Sequence, residues 1–361
     1  MRAFECGERS VVRLKILFND RADIELGSTR IWVHNLQHWL AQLGYDVHLN
    51  DWDHYSDYDI IIFGKSMGAE EILRAKTENP QLLCGIINPS DYTQAKKCVM
   101  DICDFFVVGS IEERDYYYRY NDNVILFPLI ERIFNKVKVH DDHEPILLGY
   151  HGNLHHLTQF HPHLKEALEK LDEEFPIRLL VVSNEEGARS WRIGRPDVDI
   201  EIVQWGLDVV QEQLLRCDIG LVPGLTPISQ TEKNAVFKFL KQSQSDIISY
   251  HYDYLLRFKN NSNAGRAFVF FQLGIPVVSD FIPSCFHILA TPDCGFLAHN
   301  TDGYLHALRT LCRSAETREK IAQNALKTFQ HYYNPLDWSM RVYNDLEKLW
   351  EIKREGFLGG L

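Results

Sequence analysis

The sequence predicts an α/β protein of two domains, each a parallel β-sheet covered by helices. Short apolar runs rich in β-branched residues alternate with segments of helical periodicity, the pattern of strand, crossover helix and strand. The 361 residues exceed the range in which one hydrophobic core keeps growing. A polar stretch with its own Pro, ERIFNKVKVHDDHEPI around residues 130–145, separates six strand-like runs from six more.

In chain order the first six runs are VVRLKILF, YDVHL, DIIIFG, LLCGIIN, FFVVGS and NVILFP. The second six are PILLGYHG, IRLLVVS, IEIVQW, DIGLVP, IPVVSD and GFLAH. The boundary is expected near residue 140, giving domains over 1–140 and 141–334. Residues 225–258 read as an insertion, because they make a far longer connection than a strand and the next core helix ordinarily need. Its Tyr250, Tyr252, Tyr254 and Phe258 suit packing against their own domain or lining an acceptor site. The final segment, 335–361, carries Trp338, Val342, Leu346, Leu349 and Trp350 at helical spacing, and is expected to pack back on the first domain.

Composition narrows the partners. A formal net charge of −12 argues against nucleic acid or an anionic membrane as the main partner, since both reward clustered Lys and Arg. A small anion remains compatible, because its phosphates need only one or two local cations and a helix N-terminus. No apolar run reaches the roughly 18 residues of a membrane span. The start MRAFECGERSVVRLK lacks a signal-peptide core, so a cytoplasmic protein is expected. The eight cysteines form no C-x-x-C pair and are expected to be reduced and mostly buried.

Three segments stand where chemistry is expected in such sheets, beyond the carboxyl ends of strands. The first strand leads into a turn with Gly27 and Ser28 and an amphipathic helix. The full G-x-G-x-x-G of dinucleotide binders is missing, and a Gly-Ser at a helix start equally suits an ordinary cap. ILLGYHGN opens the second domain in the same way, with Gly152 letting backbone amides approach a ligand and His151 and Asn153 beside it; the His equally suits a structural role. In RFKNNSNAGRAFVFFQLGIPVVSD, Asn261, Ser262 and Asn263 are expected to cap a helix that ends at Gly274. That helix N-terminus, with Lys259 before it and Arg266 in its first turns, suits a pyrophosphate. The pattern also describes a capped core helix with two solvated cations.

Two further motifs carry less. Asp51-Trp52-Asp53 has the form of a metal-binding D-x-D, but acidic residues are common in turns after strands. His151, His155, His156, His161 and His163 cluster without a cysteine or carboxylate to complete a tetrahedral set, so no metal site is expected.

Taken together, WGLDVVQEQLLRCDIGLVPG, YHGN, GSTRIWVHNLQHWLAQLGYDV, VVGSIEERDYY, DWSMRVYNDLEKLW and the GxPVVSD after an apolar helix resemble the GT-B glycosyltransferases. The resemblance is to the large retaining branch that builds bacterial polysaccharides and glycolipids, and it covers nearly the whole chain. It implies two Rossmann-like domains facing across a cleft, with the nucleotide mainly on the second and the acceptor mainly on the first. Carried over by position, it puts Lys259 and Arg266 on the donor pyrophosphate, with Gly27 and Ser28 near the phosphates. Gly152 falls at the domain mouth with His151 and Asn153. Ser183, Asn184, Trp205 and Leu207 fall near the nucleoside, and Ser262 and Asn263 at the helix start.

The implied activity is transfer of a hexose-type sugar from a nucleotide diphosphate donor to a hydroxyl of a glycan, glycolipid or small acceptor. It implies no cofactor and no metal, with Lys259 and Arg266 stabilising charge on the leaving diphosphate. Many members carry two glutamates eight positions apart ahead of the G-x-P, where this chain has Asn261 and Val269. Asp91, just after LLCGIINPS, is the candidate base for an inverting reaction and is equally placed to cap the next helix. The alternatives are a non-catalytic GT-B scaffold that binds nucleotide sugar or glycan, and a GT-B-like epimerase or phosphorylase.

Overall fold

The computed structural model describes residues 13–227, 234, 235, 238, 256, 257 and 263–358. All twelve expected runs form strands, in two six-stranded sheets. The first sheet contains β1 (Lys15–Asn19), β2 (Asp46–Leu49), β3 (Ile60–Phe63), β4 (Leu83–Ile87), β5 (Phe105–Val108) and β6 (Val124–Leu126). Their order is β2-β1-β3-β4-β5-β6, with every neighbouring pair parallel. Every residue of β3, β4 and β5 is buried, because helices cover both faces; this is why these strands read as unbroken apolar runs rather than as alternations.

The second sheet begins with β7 (Ile146–His151), β8 (Ile177–Ser183), β9 (Ile200–Gln204) and β10 (Ile219–Val222). Next along the chain come β11 (Thr226–Pro227) and β12 (Leu256–Arg257), which pair with each other antiparallel and close the two ends of the long connection. Tyr250, Tyr252, Tyr254 and Phe258 of that connection lie outside the described residues. β13 (Val277–Ser279) and β14 (Phe296–Leu297) complete the second sheet in the order β14-β13-β10-β7-β8-β9, again all parallel. Counted along the chain this is 6-5-4-1-2-3, the doubly wound order of nucleotide-binding sheets.

The chain divides into two compact units. One comprises the described parts of Met1–Val108 and Pro335–Leu361 with Tyr117–Phe127; the other comprises Gly109–Tyr116 and the described part of Pro128–Asn334. Residues 131–138 hold to the second unit: Gln272 donates to the Glu131 carbonyl at 2.8 Å, and the Lys138 amide donates to the Leu273 carbonyl at 2.8 Å.

Within the first unit the helix Pro335–Leu358 buries Val342 and Leu346 completely, one turn apart. Tyr343 stacks on Tyr45 with ring centroids 3.7 Å apart, and Lys353 donates to the Leu82 carbonyl at 2.7 Å. Leu346→Ala should therefore cost about 2–5 kcal/mol by loss of contacts and the cavity left behind. Ile352→Ala, at a position 66% exposed, should stay within about 0.5 kcal/mol. Urea unfolding of the two variants measures the contrast; equal losses would mean that the buried face does not anchor the helix.

Candidate functional site

In the second sheet the strand order reverses between β7 and β10. Connections leaving these neighbours run to opposite sides, which opens a crevice at their carboxyl ends. His151 closes β7 and is followed by Gly152; Pro223 and Gly224 follow β10; Asp280 follows β13. The helix Gly265–Gln272 starts at the same edge.

That helix forms because Ala267, Phe268, Val269, Phe270 and Phe271 are all buried around it. It ends where expected: Gly274 adopts φ +65°, and the Gly274 and Ile275 amides donate back to Phe271 and Phe270. Its start differs from the expected cap. The helix begins at Gly265 with Ala264 in the capping place, and Asn263 Oδ1 accepts from the Gly265 amide at 3.3 Å. Asn261, Ser262 and Lys259 lie outside the described residues.

Arg266, in the first turn, is the centre of the site. Its Nη2 donates to the Pro223 carbonyl at 2.6 Å and to Gln159 Oε1 at 3.1 Å. Its Nη1 is buried and has no hydrogen-bond partner among the described residues. The guanidinium lies 5.5 Å from the centroid of the Tyr150 ring. Gly152 makes room for this side chain: it adopts φ +133°, and a Cβ there would stand 3.1 Å from Arg266 Cδ.

His151 Nε2 lies 3.1 Å from the Arg266 carbonyl, which can only accept, so Nε2 carries the proton. Burial lowers the imidazole pKa to about 4; the Arg266 charge adds to this and the hydrogen bond to the Arg266 carbonyl opposes it. The ring is neutral near pH 7 and fixes the first turn of the helix.

Asp280 is buried, and its Oδ2 accepts from the amides of Gly224 at 2.6 Å and Leu225 at 2.8 Å. Burial pushes its carboxyl up to about 6, against the pull of those two amides and of Arg266. Asp280 and Gln159 were not among the residues singled out by sequence. The available signal was Asp280 itself, an acid directly after the apolar run IPVVS.

The remaining residues of the set follow the carboxyl ends of β7, β8 and β9. Ser183 Oγ donates to the Gly152 carbonyl at 2.8 Å, and the Trp205 amide donates to the Ser183 carbonyl at 2.8 Å. Asn184 caps the short helix Glu185–Arg189 by accepting from the Gly187 amide at 2.8 Å. Leu207 is half-buried two residues beyond Trp205, and Asn153 is exposed with its carbonyl taken by the Tyr150 hydroxyl.

In the first unit, Gly27 and Ser28 open a helical run of Gly27–Thr29, a π-helical turn Arg30–Asn35 and Leu36–Gln42. The reading of Gly27 and Ser28 as an ordinary cap is corrected, since Leu26 occupies the capping place and no side chain caps the helix. The turn before it is held by Asp20, which accepts from Thr29 Oγ1 at 2.8 Å and Ser66 Oγ at 2.7 Å. Asp91 does not cap the next helix either: Thr93 Oγ1 does so, accepting from the Lys96 amide, while Asp91 accepts from the Tyr120 hydroxyl at 2.9 Å. Asp51 is engaged by His54, Tyr58 and the Asp53 amide. Among the described residues no group of three His, Cys, Asp or Glu side chains is placed to hold a metal ion. No described helix is long and apolar enough to cross a membrane.

The depressed His151 pKa has a stability consequence of definite sign. Below pH 6.5 the unfolded chain takes up a proton that the folded chain refuses until about pH 4, so this contribution is present above 6.5 and lost as pH falls. Asp280 acts with the opposite sign at lower pH but cancels in a comparison that leaves it intact. Between pH 7 and pH 5 wild type should lose about 2 kcal/mol more than His151→Gln in urea unfolding. Equal losses would mean that the imidazole is not held neutral.

No family model matches the sequence, and no curated protein matches it. Solved structures do. The sucrose-phosphate synthase of Thermosynechococcus elongatus superposes with a TM-score of 0.59 at 13% identity, covering 94% of this chain and 100% of that one. Anabaena HepE in complex with UDP and glucose gives 0.57 at 10% identity, covering 93% and 100%. A glycosyltransferase from Rickettsia africae gives 0.56 at 13% identity, covering 94% and 99%. At these identities the likeness concerns the fold, and with the two parallel sheets it establishes that this chain has the GT-B fold.

Proposed function

We propose that the protein is a glycosyltransferase that moves a hexose-type sugar from a nucleotide diphosphate donor to a hydroxyl of a glycan, glycolipid or small acceptor. The observation that carries this reading is Arg266 Nη1, a buried cationic donor without a partner among the described residues, at the order reversal of the second sheet and in the first turn of a helix. A buried charge is costly unless an opposite charge and hydrogen bonds compensate it. A diphosphate oxygen supplies both, and the helix N-terminus adds free amides and a partial positive charge. The binding of UDP and glucose by HepE, on the same fold, supports a nucleotide donor.

In this reading Arg266 and Lys259 take the charge that develops on the leaving diphosphate, so that positioning and fixed charge lower the barrier without a metal. Ser183, Asn184, Trp205 and Leu207 flank the nucleoside; Gly152, with His151 and Asn153 beside it, lets backbone approach the donor. Asn263, whose Oδ1 accepts from the Gly265 amide, stands just before the helix start, and Ser262 is assigned beside it through the resemblance. Gly27 and Ser28 as phosphate neighbours, Asp91 as base if the reaction inverts, and retaining stereochemistry otherwise are assigned through the resemblance. The wider place proposed is cytoplasmic synthesis of polysaccharide or glycolipid.

One observation favours a second reading, a scaffold that binds nucleotide sugar without turnover. Val269 is buried and apolar where the resemblance leads to a carboxylate.

A thermal-shift screen against UDP, GDP, ADP, CMP and their sugar conjugates tests the donor site, because binding to the folded state alone raises apparent stability. One nucleotide should raise the midpoint, and Arg266→Ala should weaken it about 10- to 100-fold, the loss of hydrogen bonds to a charged group. Unchanged affinity in that variant would sink the phosphate role. Release of free nucleotide diphosphate in the presence of sugar acceptors separates the transferase from the scaffold.

A further inference from the structure

We infer that Asp280 is a positioning residue for Arg266, acting through the turn at residues 223–225 that the two side chains grip from opposite sides. The inference rests on the proposed role of Arg266 at the donor diphosphate. The Pro223 carbonyl and the Gly224 amide belong to one planar peptide group. Arg266 Nη2 donates to its oxygen at 2.6 Å, and Asp280 Oδ2 accepts from its nitrogen at 2.6 Å. The cation and the anion each complement one end of the peptide dipole, so they form an ion pair relayed through a peptide bond.

A second arm closes the ring. Gln159 Nε2 donates to the Gly224 carbonyl at 3.3 Å, and Gln159 Oε1 accepts from Arg266 Nη2 at 3.1 Å. Leu225 adds its amide to the same carboxylate oxygen at 2.8 Å. The turn has no slack, because a Cβ on Gly224 would stand 2.8 Å from Asp280 Oδ1. The fork of Arg266 is thus fixed through Nη2 alone, which leaves Nη1 directed and unspent.

Stability alone gives a poor reason for an acid at this place. Burial raises the Asp280 carboxyl to about 6, so near neutral pH the folded chain holds its charged form against a desolvation cost. The groups facing it are the Arg266 guanidinium and the hydroxyl of Tyr304, which is itself pushed well above its ordinary range by burial. In the folded chain that charge meets the amides of Gly224 and Leu225 and, through the peptide between residues 223 and 224, the Arg266 guanidinium.

Titration calorimetry with inorganic pyrophosphate at pH 8 tests the inference on wild type, Arg266→Ala, Asp280→Asn and the double variant, with circular dichroism as a check of folding. Asp280→Asn keeps the shape and removes the charge that the relay needs. It should weaken pyrophosphate about tenfold, and the double variant should bind no worse than Arg266→Ala alone, because Asp280 acts only through Arg266. Wild-type affinity in Asp280→Asn beside a loss in Arg266→Ala would overturn the positioning role and leave the donor site standing. Losses that add in the double variant would overturn it too, as an independent effect. Failure of wild type to bind, or no effect of Arg266→Ala, would remove the donor reading and this inference with it. Should Asp280→Asn not fold, Gln159→Met cuts the other arm and is held to the same tenfold and non-additive outcomes.

Discussion

A doubly wound parallel sheet cannot be closed at the point where its strand order reverses. Neighbouring strands there send their chains to opposite faces, and the carboxyl ends of both are left facing a gap that backbone alone does not fill. In the second unit the gap lies between β7 and β10, and the rest of the site answers it. Gly152 takes a conformation open to glycine so that Arg266 can lie against it, the turn after β10 has no room for a side chain at Gly224, and Asp280 closes that turn from β13.

Charge follows from the same constraint. Groups at the gap are buried yet polar, so each is either neutralised or paired. His151 is neutral, its Nε2 proton donated to the Arg266 carbonyl and its pKa lowered to about 4 by burial. Asp280 is compensated by two amides and, through one peptide bond, by Arg266. Arg266 Nη1 and Asp280 Oδ1 both lack a hydrogen-bond partner among the described residues, and of the two the cationic donor is the one that the proposed diphosphate oxygen would satisfy.

Much of the fold was legible in the sequence because burial on both sheet faces leaves strands as unbroken apolar runs, and helix Gly265–Gln272 ends at a glycine that must take positive φ. The ribbon of β11 and β12 was not, since two residues on each side carry no periodicity. Arg266 was legible from local pattern, as a cation in the first turn of a helix after a polar run. Asp280 and Gln159 were not, because their roles exist only once residues 56 and 107 positions away along the chain are folded against them. Local rules also misplaced two caps: Thr93 rather than Asp91 holds its helix, and no side chain caps the helix that Gly27 opens, since the choice among neighbouring polar residues depends on loop geometry that spacing does not encode.

The central claim is that Arg266 Nη1 is the receptor of a donor diphosphate, and a crystal structure with UDP-glucose bound tests it most directly. A diphosphate oxygen should lie about 2.7–2.9 Å from Nη1, while Nη2 keeps its bond to the Pro223 carbonyl. A nucleotide bound elsewhere, with Nη1 taken by a protein group instead, would contradict it.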